Sequence, residues 1–248
     1  MRLAERVAII TGGGSGIGAA SALAMAREGA RVLIVDVDDA AAGKVAHGIA
    51  ADPRVRQAKG EATAPRADVT SAADNRAAVE RAVAQWGRLD IFYANAGVPH
   101  GKADVEDVDE AAFDRIFAVN VKGVWLGAKY AFPVMKKQRR GVFLITASTA
   151  GIRPRPGGQI YAASKGAVIT LTKALALEAA PHRVRVVAIA PVATHTPMLP
   201  TFMNKKEVDA ESLAKYEATV PLGRLNQPED VAATAVFLAS DDAAMITG

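Results

Sequence analysis

Apolar residues are distributed along this chain in two alternating textures. Short β-branched runs, nearly continuous in apolar side chains, occupy Val7–Thr11, Arg31–Asp36, Leu89–Ala94, Val142–Ser148 and Val184–Ala190. Between them lie Ile17–Glu28, Asp39–Ala51, Ala72–Trp86, Ala111–Lys137 and Ala162–Ala180, rich in alanine and other helix formers. A strand apolar on both faces must be covered on both faces, and intervening helices allow successive strands to run parallel. The alternation therefore predicts an α/β fold: one doubly wound parallel sheet with helices on both faces. No linker, repeat or low-complexity tract interrupts it, so residues 1–248 read as a single domain.

Two stretches break the rhythm. Asp52–Arg66 is polar and bounded by proline, and reads as a surface loop leading into a short strand at Ala67-Asp68-Val69. The segment 195–222 mixes Pro197, Pro200 and Pro221 with Met198, Leu199, Phe202, Met203 and Tyr216. It leaves the carboxyl end of a strand, where open α/β sheets bind ligands, and is expected to form a lid over a pocket. The alternative is a flap that packs on a neighbouring subunit.

Composition changes little. Half the residues are hydrophobic and 23% are charged, as in ordinary globular proteins. No apolar run approaches the roughly 20 residues needed to span a bilayer, so no membrane association is expected. The N-terminus passes straight into a strand-like stretch, leaving no room for a signal peptide, and the cytoplasm is the expected compartment. Absence of cysteine excludes disulfides and thiolate chemistry. The formal charge is +4, and its densest run, Lys136-Lys137-Gln138-Arg139-Arg140, reads as a solvated helix end rather than a nucleic-acid site.

Chemistry enters with the string Thr11-Gly-Gly-Gly-Ser-Gly-Ile-Gly18, which follows one strand and opens a helix. Gly12, Gly16 and Gly18 permit a tight turn, close approach of backbone to a pyrophosphate and close helix–strand packing, with Ser15 and Ile17 completing the cradle. Asp36 ends the second strand, eighteen residues beyond Gly18, where a carboxylate can accept from both adenosine ribose hydroxyls and would repel a 2′-phosphate. No base follows it, so NAD is expected over NADP. Asp68 and Val69, at the end of the expected third strand, are placed to flank the adenine. Asn95-Ala96-Gly97 closes the fourth, where small residues admit a cofactor.

Tyr161-Ala-Ala-Ser-Lys165 sets a phenol and an ammonium one helical turn apart on one face. A phenol of pKa about 10 is a poor acid–base at neutral pH, and a nearby cation lowers it. With Ser148 thirteen residues before Tyr161, these strings make the chain resemble, over about Val7–Gly248, a short-chain dehydrogenase/reductase. The resemblance implies a single Rossmann-type domain, strand order 3-2-1-4-5-6(-7), assembled as a tetramer or dimer through the helices carrying Asn120 and Tyr161. It implies that Tyr161 exchanges a proton with a carbonyl or alcohol while hydride moves to or from nicotinamide. Lys165 would lower the Tyr161 pKa and hold the nicotinamide ribose, and Ser148 would bind the reacting oxygen. Asn120 would disturb its helix and anchor a water serving Lys165.

Two departures from the family stand out. In Pro191-Val192-Ala193-Thr194-His195-Thr196 the usual Pro-Gly becomes Pro191-Val192. Thr194 stands where backbone meets the carboxamide, Thr196 matches the family threonine, and both join Pro191 as expected cofactor contacts. Relatives usually continue beyond Ile246-Thr247-Gly248 into an edge strand, so the chain is either clipped or differs in its oligomer contacts.

The expected reaction is NAD-dependent interconversion of a secondary alcohol and a ketone. The small-molecule substrate would touch Ser148, Ile152, Gln159, Tyr161, Met198 and Leu199, with Val98, Pro99 and Phe202 completing an apolar wall. Arg153 and Arg155 could recognise an acid group, or else belong to an exposed loop. His195 is as consistent with a loop histidine as with a substrate contact, and no metal is expected. The rival readings are an NADPH-type 3-oxoacyl thioester reductase and a catalytically silent dinucleotide sensor.

Overall fold

The computed structural model describes residues Met1–Gly248. Strands β1 (Val7–Thr11), β2 (Arg31–Val35), β3 (Glu61–Thr63), β4 (Ile91–Ala94), β5 (Gly141–Thr146) and β6 (Val184–Ile189) form one parallel sheet. Their order is β3-β2-β1-β4-β5-β6, and no seventh strand is formed. At the outer edge of β6, Val186 accepts from the Gly248 N–H at 2.9 Å and donates to Thr247 Oγ1 at 3.0 Å. β1 pairs with β2 on one side and β4 on the other, so the connections diverge at its carboxyl end and leave a crevice there.

The strand residues alternate between two cores. Val7, Ile9, Phe92 and Phe143 face one side, with α4 (Ala72–Trp86), α6 (Gly123–Gln138) and α7 (Gln159–Ala179) against them. Ala8, Ile10, Tyr93 and Leu144 face the other, covered by α1 (Gly16–Arg27), α2 (Asp39–Ala51) and α10 (Pro228–Ala239). Phe92 stacks on Phe143 with centroids 5.0 Å apart, and Phe132 meets Phe143 edge-on at 5.6 Å. Each such buried ring contributes about 1.5–3 kcal/mol.

Three sequence expectations are corrected. First, 52–66 is not a loop. Asp52 accepts from the Arg54 and Val55 N–H groups and Pro53 takes the first helical position, starting α3 (Pro53–Ala58). The chain then turns through left-handed Lys59 into β3, six residues before the strand expected at 67–69. Gly60 is required between them, since a Cβ there would lie 2.1 Å from the Ala26 carbonyl. Ala67-Asp68-Val69 is consequently a connector, tied to β2 by the Ala67 N–H donating to the Asp36 carbonyl at 2.9 Å. Second, the expected long helix at 111–137 is two, α5 (Glu110–Phe117) and α6, joined by one π-helical turn at Ala118–Lys122. Third, α7 and its extension to His182 form 24 residues apolar and long enough by composition to cross a bilayer. Val168, Leu175 and Ala176 of this helix are buried in the sheet core, which accounts for its apolarity.

The 195–222 segment folds into α8 (Leu199–Phe202) and α9 (Ala210–Glu217), joined by bends. It covers the crevice at the strands' carboxyl ends, with Leu199, Phe202 and Tyr216 facing inward.

Candidate active site

The crevice is a cavity of about 860 Å³. One end is built by the loop after β1. Gly12 has φ +61°, and a Cβ there would lie 2.8 Å from Ala96 Cα. Gly16 has φ +49°, and a Cβ there would lie 3.1 Å from the Thr196 methyl. Ser15 precedes α1 in extended conformation without a side-chain cap, so the N–H groups of the first turn are left without that partner. Gly12, Ser15, Gly16 and Ile17 all line it. Gly18 does not; a Cβ there would lie 2.1 Å from the Gly12 carbonyl, so its role is the close packing of helix on loop. Asn95 holds the loop from β4: its Nδ2 donates to the Thr11 and Gly12 carbonyls at 3.0 and 3.2 Å. The Asn95 and Ala96 N–H groups both donate to Thr11 Oγ1 at 3.0 Å.

Asp36 accepts from the Gly14 and Asp38 N–H groups at 2.9 and 3.0 Å, which fixes its carboxylate on the cavity wall. Each oxygen keeps acceptor capacity for a ribose hydroxyl. Asp68 and Val69 also line the cavity, although from a connector rather than a strand end. Asp68 Oδ1 is engaged by the Thr70 N–H and hydroxyl, each at 2.8 Å. Asn95, Ala96 and Gly97 reach the cavity from β4, and Pro191, Thr194 and Thr196 form the wall opposite. Val192 has no positive φ, so the loop accommodates a side chain where the family usually has glycine. A backbone cradle closed to any Cβ at Gly12, an open helix N-terminus and a fixed carboxylate together fit a dinucleotide.

α7 presents Tyr161 and Lys165 to the same cavity. Lys165 Nζ donates to the Thr146 carbonyl at 2.6 Å and lies 5.7 Å from the centre of the Tyr161 ring. Burial pushes the Tyr161 phenol up to about 12, with the Ser148 hydroxyl pulling the other way. Burial also pushes Lys165 down to about 8. Here the amine faces a carbonyl at the end of β5, and desolvation is the largest cause acting on both groups.

Ser148 lies two residues past β5, where its Oγ accepts from the Ala150 N–H at 3.1 Å. Since that bond uses a lone pair, its O–H is left to donate into the cavity. Asn120 is fully buried in the π turn and lies outside the cavity lining. Its Oδ1 accepts from the Val98 N–H at 2.8 Å; its Nδ2 donates to the Val98 carbonyl and to Ser164 Oγ, both at 3.0 Å. The π turn, in which the Gly123 N–H reaches the Ala118 carbonyl, aims that amide at the strand-end loop.

Ser164 and Thr146 were missed by sequence reasoning. Ser164 Oγ donates to the Tyr161 carbonyl at 2.7 Å, linking Asn120 to the tyrosine's own helical turn. Its signal was its place inside the Tyr161–Lys165 string. Thr146 carries the acceptor for Lys165, and its hydroxyl lies 2.9 Å from both Tyr93 Oη and Asn95 Oδ1. Nothing local marked it.

At the other end the covering segment meets the tyrosine directly: Phe202 packs edge-on against the Tyr161 ring at 5.0 Å. Tyr216 Oη donates to the Phe202 carbonyl at 2.9 Å. Val98, Met198 and Leu199 line the cavity, whereas Pro99, Ile152, Gln159 and His195 do not. Gly151 lies so close to α7 that a Cβ would fall 2.6 Å from the Lys165 carbonyl carbon, and the turn directs Ile152 outward, 62% exposed. Gln159 precedes Tyr161 by two residues, about 200° around the helix. His195 is exposed. Arg153–Gly158 line the wall instead.

A family model described as enoyl-(acyl carrier protein) reductase matches residues 12–248. The chain is 42% identical over 248 residues to 4-formylbenzenesulfonate dehydrogenase TsaC1/TsaC2 of Comamonas testosteroni, covering 100% of this chain and 96% of the relative. It is 40% identical over 251 residues to 2-(S)-hydroxypropyl-CoM dehydrogenase 3 of Xanthobacter autotrophicus, covering 100% and 94%. Among solved structures, a 3-ketoacyl-(acyl-carrier-protein) reductase from Brucella melitensis complexed with NADH superposes with a TM-score of 0.89 at 42% identity, covering 99% of this chain and 95% of that one.

Proposed function

The chain belongs to the short-chain dehydrogenase/reductase family, and from that premise we propose that it interconverts a secondary alcohol and a ketone, using NAD rather than NADP. The observation that carries this reading is the meeting of Tyr161 and Ser148 in one cavity with the glycine cradle, with Lys165 on the tyrosine's own helix face. A bound nicotinamide supplies the hydride acceptor for oxidation or the donor for reduction. The protein's residues place the carbon and move the proton. Ser148 donates to the reacting oxygen and fixes its position. In oxidation Tyr161 Oη takes the alcohol proton, and in reduction it returns one. Lys165, anchored on Thr146, holds the nicotinamide ribose and brings positive charge to the phenol when protonated. Asn120 and Ser164 position the Tyr161 turn against Val98.

Asp36 supports NAD, because a fixed carboxylate on the cavity wall just past β2 would repel a 2′-phosphate. The name of the Xanthobacter relative supports alcohol chemistry, 2-(S)-hydroxypropyl-CoM being a secondary alcohol. Similarity to the Brucella reductase favours a second reading, reduction of 3-oxoacyl thioesters. Since that structure is named as an NADH complex, nucleotide preference alone does not separate the two readings; turnover of a 3-oxoacyl thioester against simple ketones does.

The test mixes the protein with NAD and a panel of secondary alcohols and follows NADH absorbance. Turnover is expected, and Tyr161→Phe should lower it by about 10²–10⁴-fold. Failure to turn over any alcohol or ketone in either direction would leave the silent-sensor reading in its place. A homo-oligomer forms through the helices carrying Asn120 and Tyr161, where Trp125 and Leu177 are 46% and 79% exposed; light scattering should give a dimer or tetramer mass.

A further inference from the structure

Charge along the cavity wall is segregated. The two acids that line it, Asp36 and Asp68, lie at the end expected to hold adenosine. His100, Lys102, Arg153 and Arg155 line it from two other loops, with no carboxylate among their neighbours on the wall. These loops are joined. The Ala103 N–H donates to the Gly157 carbonyl at 3.2 Å, and a Cβ on Gly157 would come within 3.1 Å of Lys102 Cβ. Asn204, from the covering segment, clamps the Lys102 backbone by accepting from its N–H at 2.7 Å and donating to its carbonyl at 2.8 Å.

Lys102, Arg153 and Arg155 are unmatched within the protein. Lys136 and Arg224 form ion pairs with Glu178 and Asp230, whereas Lys102, Arg153 and Arg155 form none. Lys102 Nζ instead lies 5.7 Å over the Tyr216 ring. His100 stands apart from them. Its Nδ1 is 2.6 Å from the Gly101 carbonyl, which can only accept, so the ring donates there. Its Nε2 is buried and has no partner. With the ring proton on Nδ1, Nε2 is an acceptor, so it suits a donor group and is not one of the atoms that would hold an oxyanion.

Resting on the dehydrogenase reading above, we infer that the alcohol substrate carries an acid group, a carboxylate or sulfonate, held by Lys102, Arg153 and Arg155 while its carbinol faces Tyr161. Two guanidinium groups and an ammonium suit an oxyanion, which charge-assisted hydrogen bonds would orient. Leu199 and Phe202, on the same wall, suit the carbon skeleton between its two polar ends.

Three alcohols of one skeleton test this: 1-phenylethanol bearing a para carboxylate, a para sulfonate or a para carboxamide, each oxidised with NAD. The expected result is a kcat/KM for one or both anions about tenfold or more above the amide, carried by KM. The Arg153→Ala/Arg155→Ala double variant should bring that ratio towards one, and Arg153→Lys/Arg155→Lys should keep much of it. Raised salt should shrink it. A wild-type ratio near one overturns the acid-group inference and leaves the dehydrogenase reading standing. A ratio that survives the alanine variant overturns the assignment to these arginines. If no secondary alcohol yields NADH, the dehydrogenase reading fails and the inference falls with it.

Discussion

At Tyr161 the fold sets a buried phenol against the task of moving a proton. With its pKa pushed up to about 12, the side chain holds its proton at neutral pH, which suits donation to a ketone. Oxidation needs the phenolate, so its rate should climb with pH, approaching about tenfold per unit below the pKa, while reduction does not gain. Initial rates in both directions from pH 6 to 10 check this. Lys165 makes a separate prediction about stability. The unfolded chain keeps a proton on this amine up to its ordinary 10.5, the folded protein only up to about 8. Between those values the unfolded state binds more protons, so stability rises with pH, by up to about 1.4 kcal/mol per unit. Lys165→Met should remove that slope in denaturant titrations of the nucleotide-free protein; parallel curves would show that the folded amine stays charged. Asp36→Ala should reduce kcat/KM with NAD and improve it with NADP, and an unchanged ratio would separate that carboxylate from nucleotide choice.

Among the elements, the ones that face two cores were legible. β1, β2, β4, β5 and β6 are apolar on both faces, and only a strand covered on both sides satisfies that. β3 was not, because Glu61-Ala-Thr63 is an edge strand of three residues with no apolar run, and its place depends on pairing with β2. Asp68 and Val69 reach the cavity all the same, since the Ala67 N–H binds the chain to β2 by a contact no local pattern encodes. The break between α5 and α6 was legible only as an oddly placed asparagine; the π turn answers to Val98, distant in sequence. Ile152 and Gln159 were misplaced because spacing along the chain does not reveal how closely Gly151 packs on α7. Capping gives a local test. Ser71 accepts from the Asp74 N–H at the start of α4, so Ser71→Ala should cost about 1 kcal/mol in chemical denaturation. Gly18→Ala should cost more, about 2–3 kcal/mol, because its methyl would collide with the Gly12 carbonyl.

Across the whole molecule, the cavity combines parts of unequal firmness. The glycine loop rests on β1 and β4, whereas the 195–222 segment reaches the body mainly through side chains, among them Thr196 on Gly16, buried Leu199, Phe202 on Tyr161 and Asn204 on Lys102. Its α8 has four residues and its α9 eight, with no buried residue in α9. Hydrogen exchange should therefore find this segment the faster, and NADH with a substrate analogue should slow it most. Uniform exchange across the protein would count against a moving cover.

Asn95 fastens the Thr11–Gly12 carbonyls while Thr11 Oγ1 gathers the N–H groups of Asn95 and Ala96. A phosphate arriving at this loop meets a surface whose shape was settled when the chain folded, so its capture freezes few further backbone torsions. Replacing Asn95 with alanine would return that freedom to the turn, and calorimetry should record it as a larger entropic penalty on nucleotide association, even where the melting temperature has barely moved.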